Sequence, residues 1–181
     1  MMWDNVRETM NTQGDSSSLF LQRHVEILCA SYRHWTGRSL LDTGIEPAEA
    51  VAALRDAPFA VVSHGTQAEP IFNYGNQLAL RLFEMSWDEF TALPSRLSAE
   101  APNQAERASL LAAVTRQGYI DNYAGIRIAK SGRRFMIRDA TIWNLLTPAG
   151  EYYGQAALIC RWQDMDAAQA VILSSGEGEP R

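Results

Sequence analysis

The chain has 181 residues, 46% of them hydrophobic and 20% charged, enough for one domain with a core and a flanking element or two. A formal net charge of −5 excludes a sequence-independent grip on nucleic acid, which depends on clustered Lys and Arg. No run reaches the roughly 18 apolar residues of a membrane span, and residues 1–18 are polar without the apolar stretch of a secretory signal. A cytoplasmic protein with no membrane contact is expected.

Residues 1–18 read as a flexible start, because Gly14-Asp15-Ser16-Ser17-Ser18 breaks a helix and offers a cap for the next one. Residues 19–56 read as an N-terminal helical extension. From Leu19 to Trp35, Leu21, Val25, Leu28, Tyr32 and Trp35 recur at spacings of four, three, four and three, one apolar stripe of an amphipathic helix. That stripe needs a partner, either the domain's own sheet or the same helix of a second subunit. The expectation adopted is a homodimer interface on these five residues. A shorter helix follows over Pro47 to Arg55, with Pro47 at an early helical position.

Residues 57–164 carry the main domain. Pro58 to His64 is a short buried strand, and Glu69 to Tyr74 is its hairpin partner, kept to an edge or strand start by Pro70. Asn76 caps a helix bearing Leu78, Ala79, Leu82 and Phe83. Ser86-x-x-Glu89 is a capping box opening a helix that Pro94 ends. A longer helix over Asn103 to Gln117 turns Leu110, Leu111 and Val114 inward and is closed by Gly118.

Gly118 to Trp162 then reads as three antiparallel strands joined by turns at Lys130-Ser131-Gly132 and Thr147-Pro148-Ala149-Gly150. Strict alternation puts Phe135, Ile137, Asp139, Thr141, Trp143 and Leu145 on one face of the middle strand. Met136, Arg138, Ala140, Ile142 and Asn144 fall on the other. Residues 165–181 are expected to hold a brief helix, about Asp166 to Leu173, and a flexible tail. The order gives an α+β domain, a five-stranded antiparallel sheet with short helices on one face, preceded by N-terminal amphipathic helices.

The blocks "VVSHGTQAEPIFNYGNQLALRLFEMSWDEFTALPSRLSAE", "RASLLAAVTRQGYIDNYAGIRIAKSGRRFMI" and "ATIWNLLTPAGEYYGQAALICRW" resemble the MEKHLA domain, a family related to the PAS fold. The resemblance covers roughly Leu19 to Trp162. It implies a PAS-like fold and a sensory or interaction role, with no reaction attached.

PAS relatives hold flavin, haem or small metabolites. Flavin photosensors of this fold place a reactive Cys in an Asn-Cys-Arg motif, and the corresponding stretch Leu93 to Gln104 has no Cys. Haem-binding relatives supply a His from the longer helix, and Asn103 to Gln117 has none. The cofactor is therefore left unknown, with a small-molecule ligand in view. Cys29 and Cys160 lie in apolar runs and read as buried free thiols. His24, His34 and His64 match no metal spacing, and no hydrolase or nucleotide-binding motif occurs. The basic cluster Arg133, Arg134 and Arg138 reads as a solvated turn and strand edge, and the adjacent Asp88 and Glu89 point apart at a helix start.

A pocket remains as the candidate site. Phe72, Asn76, Phe83, Trp87 and Phe90 would line its helical wall, and Tyr123, Asp139, Trp143, Asn144 and Gln155 its sheet wall. The polar members need partners, whether each other or a ligand. No catalytic residue is assigned. The expected function is a non-enzymatic sensory or interaction module. Two alternatives stand: a small-substrate enzyme of the SnoaL-like cone type, whose nominated acid–base pair is Asp139 with His64, and a purely structural interaction domain with a filled core.

Overall fold

The computed structural model describes the backbone of residues 4–165 and the side chains of residues 17–100 and 103–165. The helix and tail expected after Asp166 lie outside the described residues. Helix α1 spans Asp4–Thr36 and α2 spans Pro47–Arg55. Strands β1 (Ala60–His64) and β2 (Phe72–Gly75) form a hairpin, followed by α3 (Gln77–Phe83), α4 (Trp87–Thr91) and a 3-10 turn at Ser95–Ser98. Helix α5 (Ala101–Gln117) leads into β3 (Tyr119–Ile128), β4 (Arg134–Leu146), β5 (Tyr152–Ile159) and the short β6 (Arg161–Asp164). The sheet is antiparallel in the order β2-β1-β5-β4-β3, and β6 pairs with the first half of β4.

Local chemistry sets the element boundaries. Asn76 accepts a hydrogen bond from Ala79 N at 3.1 Å to start α3. Ser86 and Glu89 close a reciprocal capping box on α4. Gly118 ends α5 at φ +95°, and a Cβ there would also stand 2.2 Å from the Trp35 ring. The helix start departs from expectation, because α1 runs through Gly14 and Ser16–Ser18 instead of beginning after them. Extending an existing helix through one Gly costs only about 1 kcal/mol, less than nucleating a new helix four residues later.

The stripe on α1 is spent on the protein's own sheet. Val25, Leu28 and Tyr32 are buried with Trp143, Leu145, Val61 and Tyr74, and Leu21 and Trp35 pack against the same cluster. Tyr32 meets Trp143 edge-on at 5.0 Å, and Trp35 Nε1 donates to the Asn144 carbonyl at 2.9 Å. Ser31 Oγ adds a bond from Leu146 N at 2.9 Å. Val25, Leu28 and Tyr32 are therefore intramolecular core, with the half-buried Leu21 and Trp35 packed at its edge, so the stripe expected as a dimer interface is spent mainly within the chain. Helices α1 and α2 cover one face of the sheet, while α3, α4 and α5 cover the other.

The expected alternation of β4 is corrected at Asp139, which adopts φ +53°. Phe135, Ile137 and Ala140 fall in the cluster under α3 and α4, and Trp143 and Leu145 fall in the α1 cluster. One residue in a left-handed conformation has changed the strand's parity. Asn122 in β3 is also left-handed, at φ +59°, and the β3–β4 register shifts beside it. Asp and Asn are the non-glycine residues that tolerate this region best. On the other flank β5 and β6 keep one register against β4 but are interrupted at Cys160. A line of distortion thus crosses three strands at one level. Cys160 is exposed there and Cys29 only half-buried, so neither is the fully buried thiol expected.

His24 is a fully buried polar residue of the α1 face. Its Nε2 lies 2.9 Å from Ser63 Oγ, which donates onward to Asn73 Oδ1 at 2.6 Å, so Nε2 carries the proton. Phe20, Tyr74 and Tyr153 surround the ring, and burial lowers its pKa to about 4. The unfolded chain protonates this group near 6.5, so acid favours unfolding between the two values. Its contribution is intact above pH 6.5 and lost as the pH falls toward 4. Urea unfolding should show the wild type losing about 2–3 kcal/mol more than His24→Leu between pH 7 and pH 4.5. Parallel slopes in the two proteins would refute this role.

Candidate functional site

Two polar side chains of the sheet hold α5 in place. Asn144 Nδ2 donates to the carbonyls of Val114 at 3.0 Å and Thr115 at 3.3 Å. Gln155 Nε2 lies 3.0 Å from the Leu111 carbonyl, Thr115 Oγ1 and Asn144 Oδ1. Both residues are buried, and both reach carbonyls in the last two turns of the helix. The parity change in β4 makes this possible, because it turns Asn144 toward α5 and Trp143 toward α1.

Beside this latch, between the sheet and α5, lies a hollow of about 40 Å³. Val62, Phe72, Phe83, Ile137, Ile142 and Ile159 give it apolar walls, and Ala157 adds only a methyl group to the lining. Its polar lining includes His64, Ser98, Gln155, Arg107 and Arg127. Arg107 sits on α5 one turn before Leu111 and two before Val114, at the sheet-facing position of the helix, and is 9% exposed. Arg127 is 7% exposed on β3.

Arg127 is held by a device along its own strand. Tyr123, Gly125 and Arg127 alternate onto one face, and Arg127 Nη2 donates to Tyr123 Oη at 3.2 Å with its guanidinium 5.4 Å from the ring centre. A Cβ on Gly125 would lie 2.2 Å from Tyr123 Oη, so the tyrosine lies across the glycine. Arg127 Nη1 donates to the Ile126 carbonyl at 2.8 Å. Arg107 has neither ion pair nor hydrogen bond among the described residues. Burial and the Arg127 charge lower its pKa to about 10.

His64 Nδ1 lies 2.9 Å from the Gly65 carbonyl and must donate to it, which leaves Nε2 a bare acceptor. That atom is buried and has no partner among the described residues. Burial lowers the His64 pKa, the Gly65 bond opposes this, and the nearby Arg107 charge adds to it.

The residues expected at a pocket divide sharply. Phe72, Phe83 and Gln155 line the hollow; Asn144 adjoins it through Gln155, and Tyr123 through Arg127. Asn76 instead uses its whole amide on backbone, binding Val61 N, Ala79 N and the Leu54 and Phe59 carbonyls. Phe90 stacks behind Phe72 at 4.3 Å, and Trp87 is half-exposed against Tyr74. Trp143 belongs to the opposite face. Asp139 is exposed and bridged to Arg161 at 3.2 Å.

The nominated Asp139–His64 pair is also separated. His64 aligns through Gln155 with Asn144, five residues along β4 from Asp139. That is roughly 16 Å at strand rise, far beyond proton-transfer reach. Arg133 and Arg134 are engaged by Glu84, Asp164 and Glu100. No metal-binding cluster and no helix apolar enough to cross a membrane occur among the described residues.

The latch makes a measurable prediction. Asn144→Ala and Gln155→Ala should each cost about 2–3 kcal/mol in urea unfolding. The double variant should cost about 1 kcal/mol less than their sum, because the two share a bond. Strict additivity would contradict the network.

The geometry has counterparts among known proteins. A PAS domain of a protein from Colwellia psychrerythraea superposes with a TM-score of 0.54 at 16% identity, covering 65% of this chain and 94% of that one. An RNA-binding light-oxygen-voltage receptor gives 0.56 at 18% identity, covering 74% of this chain and 36% of that one. A light-oxygen-voltage domain studied with a flavin analogue gives 0.51 at 16%, covering 71% and 93%. These likenesses show a PAS-like fold. No curated protein sequence matches the chain. The MEKHLA domain model matches residues 22–164, from within α1 to the end of β6, and the chain belongs to the MEKHLA-domain family.

Proposed function

We propose that this protein is a non-enzymatic sensory module of PAS type, which binds a small molecule in the hollow between the sheet and α5. The observation that carries this reading is the polar lining of that hollow. Buried groups without partners are costly, and here Arg107 and His64 Nε2 converge with Arg127 on one small space. Occupancy would be felt by α5, because the Asn144–Gln155 latch and the hollow share one helix–sheet contact. The separation of Asp139 from His64 removes the acid–base pair on which the enzymatic alternative rested.

A filled-core interaction domain is the second reading, favoured by the small volume of the hollow and by the complete pairing of the Asn76 and Asn144 amides. Native mass spectrometry of the full chain purified from its own host separates the two. The sensory reading expects one small molecule per chain, released on denaturation and lost in Ala157→Leu, whose added side chain fills the hollow. Wild-type protein without added mass, or equal occupancy in the variant, would favour the filled core.

A further inference from the structure

The chemistry of the hollow narrows what it takes. Two guanidinium groups on different elements, Arg107 of α5 and Arg127 of β3, line the same small space. Each is more than nine-tenths buried, and neither has a carboxylate partner among the described residues. Burying one charge without a counter-charge is strongly destabilising, and placing two beside each other adds repulsion. The eight carboxylate ion pairs of the described residues are all spent elsewhere, on the surface or at its margin. The pair is therefore arranged for an anion that enters from outside the described fold.

The rest of the lining selects among anions. A planar carboxylate matches the fork of a guanidinium. The walls of Val62, Phe72, Phe83, Ile137 and Ile159 suit an alkyl body and disfavour a strongly hydrated phosphate or sulfate. The hollow of about 40 Å³ has space for about three waters, room for the carboxylate and hydroxyl of an acid but not for a long carbon body, so the ligand must be short. His64 adds one more requirement. Its Nδ1 is committed to Gly65, so its free Nε2 accepts a hydrogen bond, and a ligand hydroxyl supplies the donor.

We infer that the hollow binds a short-chain hydroxy carboxylate, with the carboxylate between Arg107 and Arg127 and the hydroxyl donated to His64 Nε2. This inference rests on the sensory reading of the same site and adds the ligand class to it. The two arginines give the charge its counterpart, and the histidine makes the hydroxyl count.

The test uses the full chain with lactate, propionate and inorganic phosphate as probes, followed by calorimetry and thermal melts. Lactate should bind, and propionate, which lacks only the hydroxyl, should bind at least about tenfold more weakly because it leaves Nε2 unpaired. Phosphate should not compete. Arg107→Met should weaken lactate at least about tenfold, as expected for losing a charged hydrogen bond. The same variant should melt a few degrees higher than wild type without ligand, since about 1 kcal/mol corresponds to roughly 2–4 °C at this size. A gain in stability with a loss of binding is a signature that a purely structural arginine does not give.

Equal affinity for lactate and propionate would overturn the role of His64, and preferential binding of phosphate would overturn the carboxylate class. Lactate affinity unchanged in Arg107→Met would overturn the site. A neutral molecule found by native mass spectrometry, with none of the probes binding, would overturn this inference and leave the sensory reading standing. No bound molecule and no probe binding would remove both.

Discussion

The organisation of this protein depends on a change of parity halfway along its central strand. A regular β4 would send Phe135, Ile137, Trp143 and Leu145 to one face. The left-handed backbone at Asp139 divides them, so that Phe135 and Ile137 face α3 and α4 while Trp143 and Leu145 face α1. Each half of the strand then buries its large side chains against the helices that cover that half. The matching distortions at Asn122 and Cys160 let β3 and the β5–β6 strand follow without losing their pairing to β4. Without the switch, Asn144 would meet α1 and Trp143 would meet the end of α5, and the latch holding that helix would not exist.

Much of this was legible in the sequence, because short-range chemistry dictated it. The Asn76 cap, the Ser86–Glu89 box, the Gly118 stop and the two meander turns are local signals, and each stands where the residues put it. The order of elements followed, and with it the PAS-like fold. The parity of β4 was not legible, because Asp139 differs from an ordinary solvent-facing strand residue only in φ. The fate of the α1 stripe was not legible either. Periodicity says that Val25, Leu28 and Tyr32 need an apolar partner but not whose, and the sheet's second face could be counted only once its parity was known.

The candidate site shows the same division. Phe72, Phe83 and Gln155 were found because aromatic and amide residues in apolar segments attract attention. Asn76, Asn144 and Gln155 proved to be bonded chiefly to helix ends and strand backbone, the common fate of buried amides. Arg107 and Arg127 were missed, although the signal was present. Arg107 occupies the i−4 and i−7 positions of the stripe defined by Leu111 and Val114, and Arg127 alternates with Gly125 and Tyr123. An arginine on an apolar stripe is easily read as a long side chain snorkelling to water. Only its burial distinguishes the two cases.

The contrast between the amides and the arginines is what places the proposed site where it is. The Asn144 amide and the Gln155 Nε2 group are accounted for by the fold alone, since they satisfy helix carbonyls and each other. A group whose bonds are complete has nothing left to offer a ligand. His64 Nε2 is in the opposite condition, buried with no hydrogen-bond partner among the described residues, and the Arg107 side chain beside it has no carboxylate partner there to offset the cost of its burial. Proteins tolerate such costs mainly at functional sites, where stability and activity pull against each other. The latch provides the tolerance: it clamps the last two turns of α5 to the sheet, so that Arg107, farther up the same helix, stays over the hollow instead of swinging out to water. The paired residues therefore shape the hollow, and the unpaired ones are what the proposed ligand would meet.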